Sequence, residues 1–137
     1  MIPGVVNSRH EAIVRLRVRG PNGDESEVDS IVDSGFSSAL TLPAATVSAL
    51  GLIRQSGGVA VLADGSVRHY EIHAADVFWD GRWLPILVNI IGDESLIGMR
   101  LLTGHELRIE VVPNGSVAIA LLPQQPAAPH SQNNQRK

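Results

Sequence analysis

The sequence predicts an all-β domain with one or two short helices, closed as a barrel or sandwich that protects its strand edges. Between residues 14 and 19, valine and leucine alternate with three arginines, which is the period of a strand with one buried face. The dipeptides Asp64-Gly65 and Asp80-Gly81 stand between apolar runs and are strong hairpin signals. Apolar residues make up 44% of the 137 residues, enough for the core of one domain.

The predicted elements follow one another mostly as hairpins. Pro43 suits the first turn of a helix and Gly51 suits its end, so the longer helix is placed between them. The predicted ranges, in chain order, are strands 12–19 and 28–32, helix 43–50, strands 59–62, 67–72, 75–79 and 83–88, helix 99–103, and strands 107–112 and 117–122.

The folded part is expected to begin near residue 9, and we assign residues 1–122 to one domain. Residues 123–137 contain proline, glutamine, asparagine and serine without periodic apolar positions, which predicts a disordered tail.

Composition argues against several classes of function. The chain has a net charge of −3 and one lysine, so we expect no nucleic-acid partner. It contains no cysteine, which excludes a disulfide scaffold, a thiolate zinc site and a cysteine nucleophile. Apolar runs are too short to span a membrane and the first residues do not resemble a signal peptide, so we expect a cytoplasmic protein without membrane contact.

The most informative segment is Ile31-Val32-Asp33-Ser34-Gly35-Phe36, in which an aspartate follows an apolar strand. This order places a carboxylate on a tight loop at the end of a buried strand. The Ser34 hydroxyl can brace the loop, and Gly35 lets other groups approach the backbone closely. Taken alone, Asp-Ser-Gly is more typical of an ordinary turn after a strand than of a catalytic site.

A second segment, Leu96-Ile97-Gly98-Met99-Arg100-Leu101-Leu102, adds an apolar pair, a glycine and a short helical stretch. In this order, and with a glycine-tipped hairpin between them, the two segments resemble the retropepsin-like (clan AA) aspartic proteases, in their small prokaryotic form with a single Asp motif. The resemblance covers residues 10–122. Ser34 stands where the family more often has threonine, and the hairpin tip has one glycine, Gly65, where viral relatives have several.

The resemblance implies a closed retropepsin-like β-barrel that hydrolyses peptide bonds. Asp33 would be the catalytic carboxylate, Ser34 and Gly35 would support its loop, and Ile97-Gly98 would pack behind it. Residues 59–72 would form a flap over the substrate. Its tip would be Ala63, Asp64 and Gly65. No metal or cofactor is implied.

A single Asp-Ser-Gly motif implies a homodimer. Acid–base hydrolysis of this kind uses two carboxylates that share one proton, because two like charges in contact do not both ionise. None of the other aspartates follows this pattern, so the second carboxylate would be Asp33 of another copy, brought close by a two-fold axis.

Two alternatives remain open from the sequence: a peptide-binding or dimerisation module that has the same fold but little catalytic activity, and a monomeric β-barrel that binds an apolar ligand. His69 and His73 are four residues apart on a strand and lack a nearby third ligand, so we expect no metal site there.

Overall fold

The computed structural model describes residues 1–124, which form ten strands and two short helices. The elements are, in chain order, β1 (Ile2–Val6), β2 (Ala12–Arg19), β3 (Glu25–Val32), β4 (Leu40–Thr41), α1 (Ala44–Leu50), β5 (Ile53–Val61), β6 (Val67–Trp79), β7 (Arg82–Ile90), β8 (Leu96–Ile97), α2 (Met99–Leu102), β9 (His105–Ile109) and β10 (Ser116–Leu121). The prediction of a mostly β domain with one or two short helices is confirmed.

Alternation in β2 separates the core from solvent as the sequence predicts. Val14, Leu16 and Val18 are buried. The arginines between them lie on the opposite face, where Arg15 contacts Asp29 at 2.9 Å and Arg17 contacts Glu25 at 2.8 Å. These exposed pairs contribute little to stability, and their main effect is to keep this face polar.

Helix α1 begins and ends where its proline and glycine predict. Pro43 is extended, with φ −62° and ψ 147°, and precedes the first helical residue. Gly51 has φ 62°, a left-handed conformation in which its N–H bonds back to the last turn of the helix. Val47 and Leu50 anchor the helix in the core.

The strands form one sheet in the order β5-β6-β7-β4-β8-β3-β2-β1-β10-β9. An additional pairing of Val18 with Val77 joins β2 to β6, so that six strands of the sheet are connected in a ring. The strands of this ring are β2, β3, β8, β4, β7 and β6. The apolar core includes Leu16, Leu40 and Ile97, all almost completely buried.

Several boundaries differ from the prediction. Residues 2–6 form β1, which pairs with β10 and β2, whereas the folded part was expected to begin near residue 9. The hairpin strands β5 and β6 are longer than predicted, because they pair from Ile53 to Val61 across a bulge near Arg54 that alternation does not reveal. Of the predicted tail, residues 125–137 lie outside the described residues.

Between residues 1 and 124, no helix has the length and apolar character needed to cross a membrane.

Two-residue strands β4 and β8 hold the centre of the sheet together. β8 pairs parallel to the end of β3 through Ile31–Leu96 and Val32–Ile97, and it pairs antiparallel with β4. The buried Thr41 hydroxyl donates to the Glu94 carbonyl and accepts from the Leu96 N–H, both at 2.8 Å. One hydroxyl therefore satisfies two backbone groups that such short strands leave without ladder partners.

We expect Thr41→Val to destabilise the protein by about 2–3 kcal/mol, because it keeps the shape of the side chain but leaves the Leu96 N–H and the Glu94 carbonyl unpaired. Thr46→Val on α1 is the matched control, with an expected effect below about 0.5 kcal/mol. Urea unfolding measures both variants. Equal stabilities for the two would show that the Thr41 hydroxyl does not hold β8.

Candidate active site

Asp33 lies at the end of β3 on a tight turn that holds its carboxylate in one orientation. The Asp33 N–H donates to the Ile97 carbonyl at 2.9 Å, which fixes the backbone to β8. The Asp33 carbonyl accepts from the Phe36 N–H at 3.1 Å, and Asp33 Oδ1 accepts from the Gly35 N–H at 2.9 Å. One carboxylate oxygen thus braces the turn, and the half-buried side chain remains open to solvent.

We call residues 33–38 the Asp33 loop. Behind it, the backbone of Gly98 and α2 supplies a row of hydrogen bonds. The Phe36 carbonyl accepts from the Met99 N–H at 2.7 Å, and the Ser38 carbonyl accepts from the Arg100 N–H at 3.3 Å. Gly98 itself donates to Ala39 at 2.9 Å. The loop is therefore attached to a second segment more than sixty residues away along the chain.

Gly98 is required by close packing against this loop. A Cβ atom on Gly98 would overlap the Ser38 carbonyl oxygen and would lie 2.6 Å from Cδ2 of Phe36. Both neighbours are held in place, the first by its hydrogen bond and the second by the backbone bonds on either side of it. Ile97, immediately before Gly98, is completely buried.

Ser34 and Gly35 are exposed at the top of the turn, and within residues 1–124 no hydrogen bond joins the Ser34 hydroxyl to another residue. Beside them is an open depression of about 700 Å³. Its lining includes Ser34, Ser37, Met99, Leu102 and Leu107. The side chain of Met99 is 49% exposed there, so the rim of the depression is partly apolar.

The predicted flap is a two-stranded arm. β6 pairs with β7 only from Glu71 onward, so within residues 1–124 the outer part of the hairpin pairs only with itself. Val59, Val61 and Val67 share one face of this arm, and each is more than half exposed. An exposed apolar face on a projecting hairpin is suited to contact a ligand or another chain.

A hydrogen-bonded turn closes the tip of the arm. Asp64 Oδ1 accepts from the Ser66 N–H at 2.9 Å and from the Ser66 hydroxyl at 2.6 Å. These bonds favour the charged carboxylate and lower the pKa of Asp64 below its usual value of 3.8. Gly65 has φ 84°, which explains why glycine stands at this position. Ala63, Asp64 and Gly65 are all exposed.

Among residues 1–124, no group of three histidine, cysteine, aspartate or glutamate side chains could hold a metal ion. His69 is exposed on the arm, whereas His73 is buried and its Nε2 lies 3.7 Å from Glu71.

Arg19 stacks over the ring of Trp83 at 4.1 Å and pairs with Asp76, so the positive charge on the arginine face of β2 is partly neutralised.

The structure brings Asp33, Ser34 and Gly35 together with Ile97 and Gly98, whereas within residues 1–124 the tip of the arm makes hydrogen bonds only inside its own turn. The carbonyl groups of Phe36 and Ser38, which hold α2, were not predicted from the sequence. No side-chain pattern marks a backbone acceptor, although the glycine at 98 indicated that some neighbour approaches closely.

No family model matches this chain, and neither the curated proteins nor the solved structures include one that is significantly similar to it.

We expect Gly98→Ala to destabilise the protein by about 3 kcal/mol, because the new methyl group has no space beside the Ser38 carbonyl. Gly92→Ala is the control, since Gly92 has φ 70° but open space around it, and its cost is the strain alone, about 1 kcal/mol. Thermal and urea unfolding give both values. A smaller loss for Gly98→Ala than for Gly92→Ala would contradict the packing argument.

The turn at the tip of the arm should respond to pH through Asp64. A carboxylate whose pKa is lowered in the folded state stabilises its turn above the usual value of 3.8, and this stabilisation is lost as the pH falls through the lowered pKa. An NMR titration should therefore shift the Ser66 amide with a midpoint below 3.8. Asp64→Asn should abolish the shift and Asp93→Asn should preserve it, whereas a midpoint above 3.8 would show that Ser66 does not brace the carboxylate.

Proposed function

We propose that this protein is an aspartic endopeptidase of the retropepsin-like type, with an active site formed by Asp33 of two subunits. The observation that carries the proposal is the Asp33 loop. Its carboxylate follows a strand, bonds to the N–H two residues later, and is attached through the parallel β3–β8 pair to a glycine and a short helix. This arrangement fits the role that the sequence resemblance implies for each segment.

A single chain supplies half of such a site. Hydrolysis needs one carboxylate to take a proton from the attacking water and a second to donate a proton to the scissile carbonyl. Asp33 is half-buried and open on one side, and Ser34 beside it is exposed. A two-fold axis passing close to this side would bring the two carboxylates into contact.

In the proposed dimer, the Ser34 hydroxyl donates to the loop of the other subunit and fixes the distance between the two carboxylates. Met99 and Leu107, at the rim of the adjacent depression, become covered by the second copy. In this proposal the ring of six paired strands corresponds to the closed barrel that the resemblance implies and supports both loops.

The two arms act as flaps in this proposal. Each presents Val59, Val61 and Val67 on one exposed face, suited to an extended peptide with apolar side chains. The hydrogen bonds of Asp64 and Ser66 keep the tip closed at the mildly acid pH at which two carboxylates can share a proton.

The test is a subunit-mixing experiment with Asp33→Asn. Asparagine keeps the size of the side chain and an oxygen that accepts from Gly35, so the fold and the dimer should persist, but it cannot act as a general base. In an equal mixture with the original chain, allowed to exchange subunits, random pairing leaves about a quarter of the dimers with two aspartates. Cleavage of an unfolded protein substrate, per total protein, should therefore fall to about a quarter.

Asp24→Asn, on an exposed turn, is the matched control, and mixtures with it should keep full activity. Activity at one half in the Asp33→Asn mixture would mean that each subunit works alone and would overturn the shared pair. A dimer that binds unfolded peptides but never cleaves them would identify a peptide-binding module of the same fold.

A further inference from the structure

A groove with no role in the proposed hydrolysis runs along one edge of β7. It encloses about 950 Å³, near the upper end of the range of about 300–1,000 Å³ typical of ligand pockets. We call it the β7 groove. One wall is formed by residues of β7, namely Arg82 and Leu84 to Leu87, and the lining also includes Ser38, Arg100 and Leu101.

The β7 wall is a free strand edge. On one side β7 pairs with β6 along its whole length. On the other side β4 reaches only Val88 and Asn89, and no other strand within residues 1–124 pairs with β7 there. A strand with unpaired backbone groups is a template for the addition of another strand.

Register shows which backbone groups point into the groove. The Asn89 carbonyl bonds to Leu42, on the side away from β6. Backbone groups of alternate residues point to the same side of a strand, so Trp83 and Pro85 also direct theirs away from β6. Trp83 offers an N–H and a carbonyl, whereas Pro85 offers a carbonyl only. Proline is tolerated here because the position donates nothing to β6.

Charge at the groove favours an acidic ligand. Arg82 and Arg100 are both exposed and line the groove, and among the described residues neither has a carboxylate within 4 Å. Asp80 is the nearby acidic group, but it lies 3.4 Å from the amino group of Met1 and 3.6 Å from Nε2 of His105. Two uncompensated guanidinium groups beside an apolar wall suit an apolar segment that carries a carboxylate.

Within residues 1–124, one buried N–H group in the same lining has no hydrogen-bond partner. Trp79 is 4% exposed and its Nε1–H is unpaired, whereas Nδ1 of the neighbouring His105 donates to the Thr103 carbonyl at 3.0 Å, so its Nε2 is an acceptor in the neutral ring. The two rings are in edge contact, 5.7 Å apart. A buried donor without a partner is uncommon in native proteins, and an oxygen of a ligand at this end of the groove would satisfy it.

We propose that the β7 groove docks an extended peptide segment of another protein, which adds to the free edge of β7 as a strand and places an acidic side chain against Arg82 and Arg100. The segment would be about five or six residues long, because the free edge from Arg82 to Leu87 spans five strand steps, about 17 Å. This docking site does not include the Asp33 carboxylate and does not depend on catalysis, although Ser38 belongs to the Asp33 loop and Arg100 also borders the depression beside Ser34.

The experiment measures binding by fluorescence anisotropy on the full chain carrying Asp33→Asn, so that no probe is cleaved. The acidic probe is the peptide Ser-Thr-Val-Leu-Thr-Val-Glu-Glu, amidated and labelled with an uncharged dye. The neutral control probe is the same peptide with Gln-Gln in place of Glu-Glu. We expect the acidic probe to bind about tenfold more tightly than the neutral one, with the difference shrinking as salt rises. Equal affinities would overturn the assignment of an acidic ligand.

Charge reversal locates the contact. Arg82→Glu and Arg100→Glu should each weaken the acidic probe about tenfold or more, whereas Arg9→Glu, an exposed arginine on the turn before β2, should leave binding unchanged. If all three variants bind alike, the probe does not occupy the β7 groove.

Strand addition has its own signature. The Trp83 N–H should exchange rapidly with deuterium in the free protein and become protected when the probe binds, and probes N-methylated at alternate residues should differ in affinity. An unprotected Trp83 N–H would overturn the strand mode.

A synthetic peptide of residues 125–137, which has no acidic side chain, should not displace the probe. Displacement at equal affinity would assign the groove to this chain's own C-terminal segment instead.

Discussion

The Asp33 loop depends on one close approach, that of the Ser38 carbonyl to the backbone of Gly98. Nothing larger than a hydrogen atom fits between them, and this lets Gly98, Met99 and Arg100 donate in succession to Ala39, Phe36 and Ser38. The loop would otherwise be a six-residue connection with few tertiary restraints. With these bonds, the turn in which Gly35 orients the Asp33 carboxylate is itself held to a distant segment, and this rigidity is what the proposed acid–base chemistry would require.

Most of the regular elements could be predicted because their signals are local. Alternation in β2, the proline and glycine around α1, and the Asp-Gly pairs of the hairpins each act within a few residues. The two-residue strands β4 and β8 could not be predicted, since they are too short to show a period. They exist only because β3 and β7 pair with them on either side and the Thr41 hydroxyl of β4 binds the backbone at β8. β1 was missed for a related reason: Pro3 and Gly4 weaken its strand signal, and its pairing with β10 spans nearly the whole chain.

The residues of the candidate site likewise fall into those that could be predicted from local sequence and those that could not. Asp33, Ser34 and Gly35 were identifiable because side-chain chemistry and turn geometry coincide in three adjacent residues. The role of Ile97-Gly98 came from the family resemblance, and the packing around Gly98 now provides its physical reason. The β7 groove was beyond sequence reasoning altogether. An edge is free when no other strand pairs with it, which the strand's own sequence does not reveal. Arg82 on β7 and Arg100 on α2 are far apart in the chain and meet in one groove only through the fold.

Pro85 has a further consequence, which concerns open-ended pairing between the β7 edges of different copies. A long free edge with every donor in place would let copies of β7 pair with one another and extend into an open assembly. Because proline removes one donor from the middle of the edge, a uniform ladder cannot run through it, and a strand that binds there gains fewer backbone hydrogen bonds. The edge is thereby suited to weak, reversible contacts whose specificity comes from side chains, and it is a poor nucleus for aggregation.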